Sequence, residues 1–245
     1  MPKLIFNADD LGLSQGVNLG IVECYKNGVV NSASLLTNTP FFEQAVALIK
    51  QHQLPNIGLH FNLTEFKPVL NTHKTIVDST GQFIRTITNN HSIDLTEVAA
   101  ELEAQYQKAV AAKVAITHFD SHHHVHMNEL LRKVFVKMAQ KHQLPLRKTA
   151  NLYRNPIKKL RYYWLYKNQP FYSKSFSSVF YDDKATLQTL QNLIHNAKGT
   201  LEIMCHPGYD DALNGEYNVQ RVAEIKILTS PEVKKWVENA NLKTV

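Results

Sequence analysis

Short apolar runs alternate with amphipathic stretches along the whole chain. Candidate strands fall at Lys3–Asn7, Ser32–Leu36, Ile57–Leu63, Ala115–Asp120, Leu146–Lys148, Ser177–Phe180 and Leu201–Cys205, with a last one at Leu242–Val245. Between them, apolar residues recurring every three or four positions predict helices near Gln15–Asn27, Phe41–His52, Thr96–Ala112, Asn128–His142, Lys184–Asn196 and Arg221–Leu228. Gly28 is expected to close the first helix as a left-handed C-terminal cap. Ser230-Pro231 is expected to open a short final helix as N-cap and first-turn proline. Strand then helix, repeated, implies a parallel sheet with right-handed crossovers. At about 30 residues per unit, the chain suits one α/β domain over residues 1–245, a distorted or incomplete (β/α) TIM-like barrel. A doubly wound open sheet is the competing arrangement, and both place active sites at the C-terminal ends of the strands. Two stretches break the rhythm. Glu65–Asn90 reads as a long polar loop, and Asn151–Ser175 as a basic, aromatic helical insertion. Loops of this length over strand ends commonly serve as lids or substrate walls.

Composition narrows the class without changing the fold. Apolar residues make up 44% and charged residues 20%, as in an ordinary globular protein. The two cysteines, Cys24 and Cys205, lie far apart in apolar contexts, which argues for buried thiols rather than a zinc finger or dithiol site. No cationic then apolar leader opens the sequence, and no apolar run is long enough to span a bilayer. A cytoplasmic location without membrane contact is therefore expected. The net charge of +6 raises the question of nucleic acid, and the basic residues are densest among Arg154, Lys158, Lys159, Arg161 and Lys167, interleaved with Tyr162, Tyr163, Trp164 and Tyr166. An amphipathic helix with a solvated basic edge is the commoner origin of such a stretch, so nucleic acid is not an expected partner.

The polar residues carry the chemistry. Four predicted strands run into Asp or His: Asp9-Asp10, His60, the His118–His126 segment, and His206. That is the face on which an α/β enzyme works. Adjacent carboxylates such as Asp9-Asp10 repel unless a cation or separate partners hold them. In extended chain they point to opposite sides, so one can bind metal while the other acts as general base. His118, Asp120, His122, His124 and His126 follow a period of two, which an extended segment would project on one side. With a turn after Asp120, His122 and His126 could instead meet at i, i+4. Either arrangement brings imidazoles to one ion, leaving the others to orient ligands or substrate. A lone histidine such as His60 is more commonly a hydrogen-bonded core residue, and Gly58 before it allows close approach of another group. A carboxylate with two imidazoles leaves coordination positions open, as in a catalytic site. The chemistry that fits best is hydrolysis of an amide or ester.

Asn7-Ala8-Asp9-Asp10-Leu11-Gly12, Gly58-Leu59-His60-Phe61-Asn62-Leu63-Thr64, Thr117-His118-Phe119-Asp120-Ser121-His122-His123-His124-Val125-His126-Met127 and Glu202-Ile203-Met204-Cys205-His206-Pro207 resemble the YdjC-like carbohydrate deacetylases. The likeness spans nearly the whole chain, and the histidine block is its most specific part. It implies removal of N-acetyl groups from amino sugars (chito-oligosaccharides such as diacetylchitobiose, with or without a phosphate), as in chitin degradation. It implies a divalent ion, Mg2+ or Zn2+, on Asp10, His60 and His122. Asp9 would be the general base and His206 the acid or oxyanion partner. The resemblance also implies a homodimer with a small carbohydrate as substrate. From the residues themselves, Phe180 and Tyr181 are candidates for stacking on sugar rings, together with Tyr163, Trp164 and Tyr209. His124 is a candidate for orienting substrate, and Arg147 for binding an oxyanion or sugar phosphate. A non-catalytic sugar- or metal-binding barrel, and a metallohydrolase of another amide or ester, are the alternatives.

Overall fold

The computed structural model describes residues 3–89, 92–149, 155–165, 169–211 and 217–242. Of the basic, aromatic stretch, Arg154, Tyr166 and Lys167 lie outside the described residues, as do the side chains of Lys158 and Tyr163. Among the described residues there are six parallel strands: β1 (Leu4–Leu11), β2 (Ser32–Leu35), β3 (Ile57–Phe61), β4 (Ile116–Ser121), β5 (Ser175–Ser177) and β6 (Leu201–Cys205). Eight α-helices among the described residues accompany them: α1 (Gln15–Asn27), α2 (Phe42–His52), α3 (Leu95–Ala111), α4 (Arg132–His142), α5 (Pro156–Leu165), α6 (Leu187–His195), α7 (Asn218–Leu228) and α8 (Pro231–Leu242). Ser14, Asp94 and Thr186 cap α1, α3 and α6 by accepting from backbone N–H groups of the first turn.

The strand order is β4-β3-β2-β1-β6-β5. Beyond β4, the Leu146 segment forms a single bridge to Phe119 and another to Phe171, just ahead of β5. The strands therefore follow one another in chain order around a ring, which a doubly wound sheet would not do. The ring stays incomplete because its seam is made of single bridges. The expected strand Leu146–Lys148 is reduced to this bridge. Pro145 and Pro170 lack an N–H and only accept here, from Phe119 N at 2.8 Å and Leu146 N at 3.1 Å. The strand expected at Ser177–Phe180 sits earlier, at Ser175–Ser177. The strand expected at Leu242–Val245 is not formed by Leu242, which ends the 12-residue helix α8; residues 243–245 lie outside the described residues.

Period-two alternation sorts each strand into two faces. Leu4, Phe6 and Ala8, Ala33 and Leu35, Ile57, Leu59 and Phe61, Phe119, Leu201, Ile203 and Cys205 pack outward against the helices in two apolar cores. Asn7, Asp9, Ser32, Ser34, His60, His118, Asp120 and Glu202 alternate with them and are equally buried. The inner face is thus polar, and hydrogen bonds satisfy it: Ser32 Oγ to Asn7 at 2.6 Å, Asn7 Nδ2 to Ser34 and Asp9 at 2.8 and 2.7 Å, and Ser34 Oγ to Asp120 at 2.6 Å.

Two glycines are fixed by close approach. Gly28 is extended (φ −127°) rather than left-handed, which corrects the expected cap. A Cβ there would lie 2.7 Å from both the Cys24 and Leu228 carbonyl oxygens, so glycine lets the end of α1 meet the end of α7. A Cβ on Gly58 would lie 2.3 Å from His118 Nε2, so the group that approaches is the His118 ring, itself stacked on Tyr172 at 3.7 Å. No helix among the described residues is long and apolar enough to cross a membrane.

Candidate metal and active site

The C-terminal ends of β1, β3, β4 and β6 converge on one cavity of about 610 Å3. In β1 the register with β2 slips between Ala8 and Leu11, and Asp10 takes φ 70°. This irregularity breaks the strand's alternation, so Asp9 and Asp10 both line the cavity instead of diverging. His60 stands at the end of β3. After β4 the chain winds into a 310 turn, His122–Met127, in which His123 and His124 are left-handed (φ 52° and 51°).

That turn settles the histidine segment differently from either expected geometry. His122, His123 and His124 line the cavity. His126 is buried instead, its Nδ1 hydrogen-bonded to Ser121 Oγ at 2.5 Å and its ring beside Phe135. His118 lies buried beneath Gly58.

The expected metal residues come together. Asp10 Oδ1 lies 3.0 Å from His122 Nδ1 and 3.5 Å from His60 Nε2, and it is a buried oxygen with no hydrogen bond of good geometry. Each imidazole has a carboxylate on its other nitrogen: Asp120 on His60 Nδ1 at 2.7 Å, and Glu65 on His122 Nε2 at 3.2 Å. This is how metal-binding histidines are usually oriented. Among the described residues, Asp9–His60–Asp120 and Glu65–His122–His123 also cluster within 4.8 Å. In the first of these, however, Arg147 occupies both Asp9 oxygens, and in the second Arg85 binds Glu65 at 2.6 Å.

The electrostatics fit a cation at Asp10. Burial disfavours a charge on His60, but Asp120 and Asp9 outweigh it and raise the imidazole to about 10. Burial likewise opposes a charge on His122, and Asp10 raises it. A pocket that holds protons this firmly offers the same lone pairs to a metal ion, which competes with protons for them. Asp9, Asp10, Asp120 and Glu202 also outnumber the guanidiniums serving them, Arg147 and Arg221. The donor set of one carboxylate and two imidazoles, with an oxygen between that lacks a well-formed hydrogen bond, suits a divalent ion.

Around this centre, Asp9 is clamped by Arg147 through contacts of 2.7 and 2.6 Å. Burial works to raise its carboxyl, but Arg147 overrides this and holds it below the usual range. His206 follows β6; its backbone N–H donates to Glu224 at 2.5 Å, and its ring Nδ1 is buried without a hydrogen bond. Burial lowers its imidazole to about 4, so it is neutral at pH 7. Glu224 is itself raised to about 8 by burial. Tyr181 stands 5.3 Å from the His206 ring and stacks on Tyr217 at 5.0 Å, forming an aromatic wall that is 44% exposed at Tyr181.

Two expected substrate contacts lie elsewhere. Arg147 is fully buried and its guanidinium is taken up by Asp9, Asp120 and Glu202, so the anions it meets are the protein's own. Phe180 is fully buried in the apolar core against the helices. Of the other aromatic candidates, Trp164 is exposed on α5, and Tyr209 does not line the cavity. Conversely, Glu65, Arg85, Tyr217 and Arg221 line the cavity without having been anticipated. Arg221 donates to Asp10 Oδ2 at 2.6 Å from 211 residues away, and no local pattern signals such a contact.

The family model for YdjC-like proteins matches residues 3–239. A carbohydrate deacetylase of Brevibacillus brevis is 36% identical over 99% of this chain and 97% of its own. One of Thermoanaerobacter pseudethanolicus is 35% identical over 99% and 96%. A crystal structure from Enterococcus faecalis, provisionally assigned to cellobiose-phosphate cleavage, superposes with a TM-score of 0.88 at 33% identity over 98% of this chain and 95% of that one. With this agreement in sequence and in fold over almost its full length, the chain belongs to the YdjC-like family.

Proposed function

We propose that the protein hydrolyses N-acetyl groups from N-acetylated amino sugars, chito-oligosaccharides such as diacetylchitobiose with or without a phosphate. Asp10, His60 and His122 would hold a divalent ion, Mg2+ or Zn2+. The observation that carries the reading is the buried Asp10 Oδ1, which has no hydrogen bond of good geometry and faces two carboxylate-backed imidazoles on the cavity floor. The names of the relatives support deacetylation of a carbohydrate, and the particular sugar is part of the proposal. When bound, the ion polarises the acetyl carbonyl and acidifies water.

The chain's own residues do the rest. Asp9, kept ionised and aimed by Arg147, takes a proton from the attacking water as its oxygen bonds to the acetyl carbon. A carboxyl with a lowered pKa is a strong acid once protonated, so Asp9 passes that proton to the departing amine as the C–N bond breaks. Acetate and the free amine result. His206, neutral at rest, donates an N–H hydrogen bond to the developing oxyanion rather than beginning as a charged acid. Tyr181 offers its face to the sugar, and His124 borders the acetyl side. Assembly as a homodimer is part of the proposal, supported by an exposed apolar stripe on α5.

Acetate release from N,N'-diacetylchitobiose tests it. Release should stop on chelation, return with Mg2+ or Zn2+, and be lost in Asp10→Ala. Activity indifferent to chelators in a metal-free preparation overturns the metal centre. Sugar binding without turnover identifies a non-catalytic barrel, and turnover of another amide or ester a different metallohydrolase.

A further inference from the structure

Glu65 lies near the start of the long loop after β3, at the mouth of the cavity, and takes no part in the reaction steps above. Its Oε2 lies 3.2 Å from His122 Nε2, while Arg85 donates to its Oε1 at 2.6 Å. The opposite nitrogen of the same imidazole, Nδ1, lies 3.0 Å from Asp10. His122 is therefore gripped between a carboxylate on the cavity floor and one at its mouth.

The grip is built in. Asn62 Oδ1 accepts from the backbone N of Thr64 and Glu65, and the side chains of Asn62 and Asn38 donate to the Glu65 carbonyl. A few residues on, buried Glu101 of α3 accepts from Val69 N, Leu70 N and His73 Nε2. The loop is thus pinned on both sides of the carboxylate. His123, fixed through Nδ1 to Thr64 Oγ1 at 2.9 Å, lies over the His122 ring at 4.0 Å and limits its tilt.

We propose that Glu65 is a positioning residue for His122. It accepts the Nε2–H hydrogen bond and so selects the tautomer that leaves the Nδ1 lone pair facing Asp10 and His60, while Arg85 orients the Glu65 carboxylate. A neutral imidazole carries one proton, and the acceptor at one nitrogen decides which nitrogen is free to ligate. Asp120 does this for His60 from the buried interior, locked by Arg147 and Ser34. Glu65 does it from a loop that also forms the cavity wall, so the metal centre and the substrate wall share one side chain. The inference rests on the metal reading of the site.

Zinc binding to the full-length protein tests it, by competition with a chromophoric chelator. Wild type should bind one Zn2+. Glu65→Ala should bind it about 10- to 100-fold more weakly, the usual effect of losing such a partner. Glu65→Gln, which keeps an acceptor oxygen, should recover most of the affinity. 15N NMR of the zinc-loaded wild type should show the His122 proton on Nε2. Zinc on Nε2, or equal affinity in wild type and Glu65→Ala, overturns the positioning role alone. So does a second bound zinc that Glu65→Ala removes while leaving the first, because Glu65 would then be a ligand. Absence of zinc binding by wild type overturns the metal reading itself and this inference with it.

Discussion

Arg147 shows at the residue scale how a strand-end cation can be misread. Its position after an apolar run suggested an anion anchor for substrate, yet it lies fully buried among Asp9, Asp120 and Glu202. Burial raises Glu202 to about 7 even with Arg147 beside it, a sign that one guanidinium barely serves three carboxylates. Arg147→Met should therefore cost about 3–5 kcal/mol, the usual penalty for leaving buried charges unpaired. In a thermal melt followed by circular dichroism this should appear as a drop of about 10 °C. Arg147→Lys should recover little, since an ammonium cannot present a planar fork to three partners; a melt within about 2 °C of wild type for either variant would contradict the assignment. The Asp9-Asp10 pair and the histidine segment were legible in the sequence because each closely follows an apolar run whose end lies on the working face, whereas His60 and His122 were singled out only by the family resemblance. Glu65 and Arg221 were not, because their partners lie 57 and 211 residues away and nothing local marks either contact.

At the scale of elements, most strands were legible as short apolar runs with a partial period-two alternation, as in Leu-Ile-Phe-Asn-Ala-Asp and Leu-Glu-Ile-Met-Cys. What the alternation did not disclose is that both faces are buried, one of them polar. Period two also overreached at the histidine block. The left-handed residues His123 and His124 end the extended geometry, so His122 enters the site while His126 joins the core. Gly58 offers a direct test of the inner face. Gly58→Ala would press a methyl into the His118 ring and should destabilise the protein by ~1–3 kcal/mol in urea unfolding. Placed in a double-mutant cycle with His118→Ala, most of that cost should disappear, because the crowded ring is gone. Additive effects would show that the strain lies elsewhere.

Across the whole molecule, the ring order carries the site and α5 carries an exposed face. Ile157, Leu160 and Trp164 are 64%, 71% and 80% exposed on one helix, spaced so that they fall along one side. Clustered apolar exposure of this kind marks contact surfaces. If α5 forms the proposed homodimer, Leu160→Glu with Trp164→Glu should convert dimer to monomer in sedimentation at micromolar concentration; a monomeric wild type would refute it. The ring also has a temporal side. β1 lies between β2 and β6, with Leu4 paired to Leu201, so one edge of β1 lacks its partner until β6 has been made. Contacts so distant in sequence form slowly, and an unpaired strand edge is a template for aggregation while it waits. During translation Asp9 and Asp10 emerge about 200 residues ahead of His206, so the nascent chain carries half an active site, with its polar lining open to water, while the intervening residues are made.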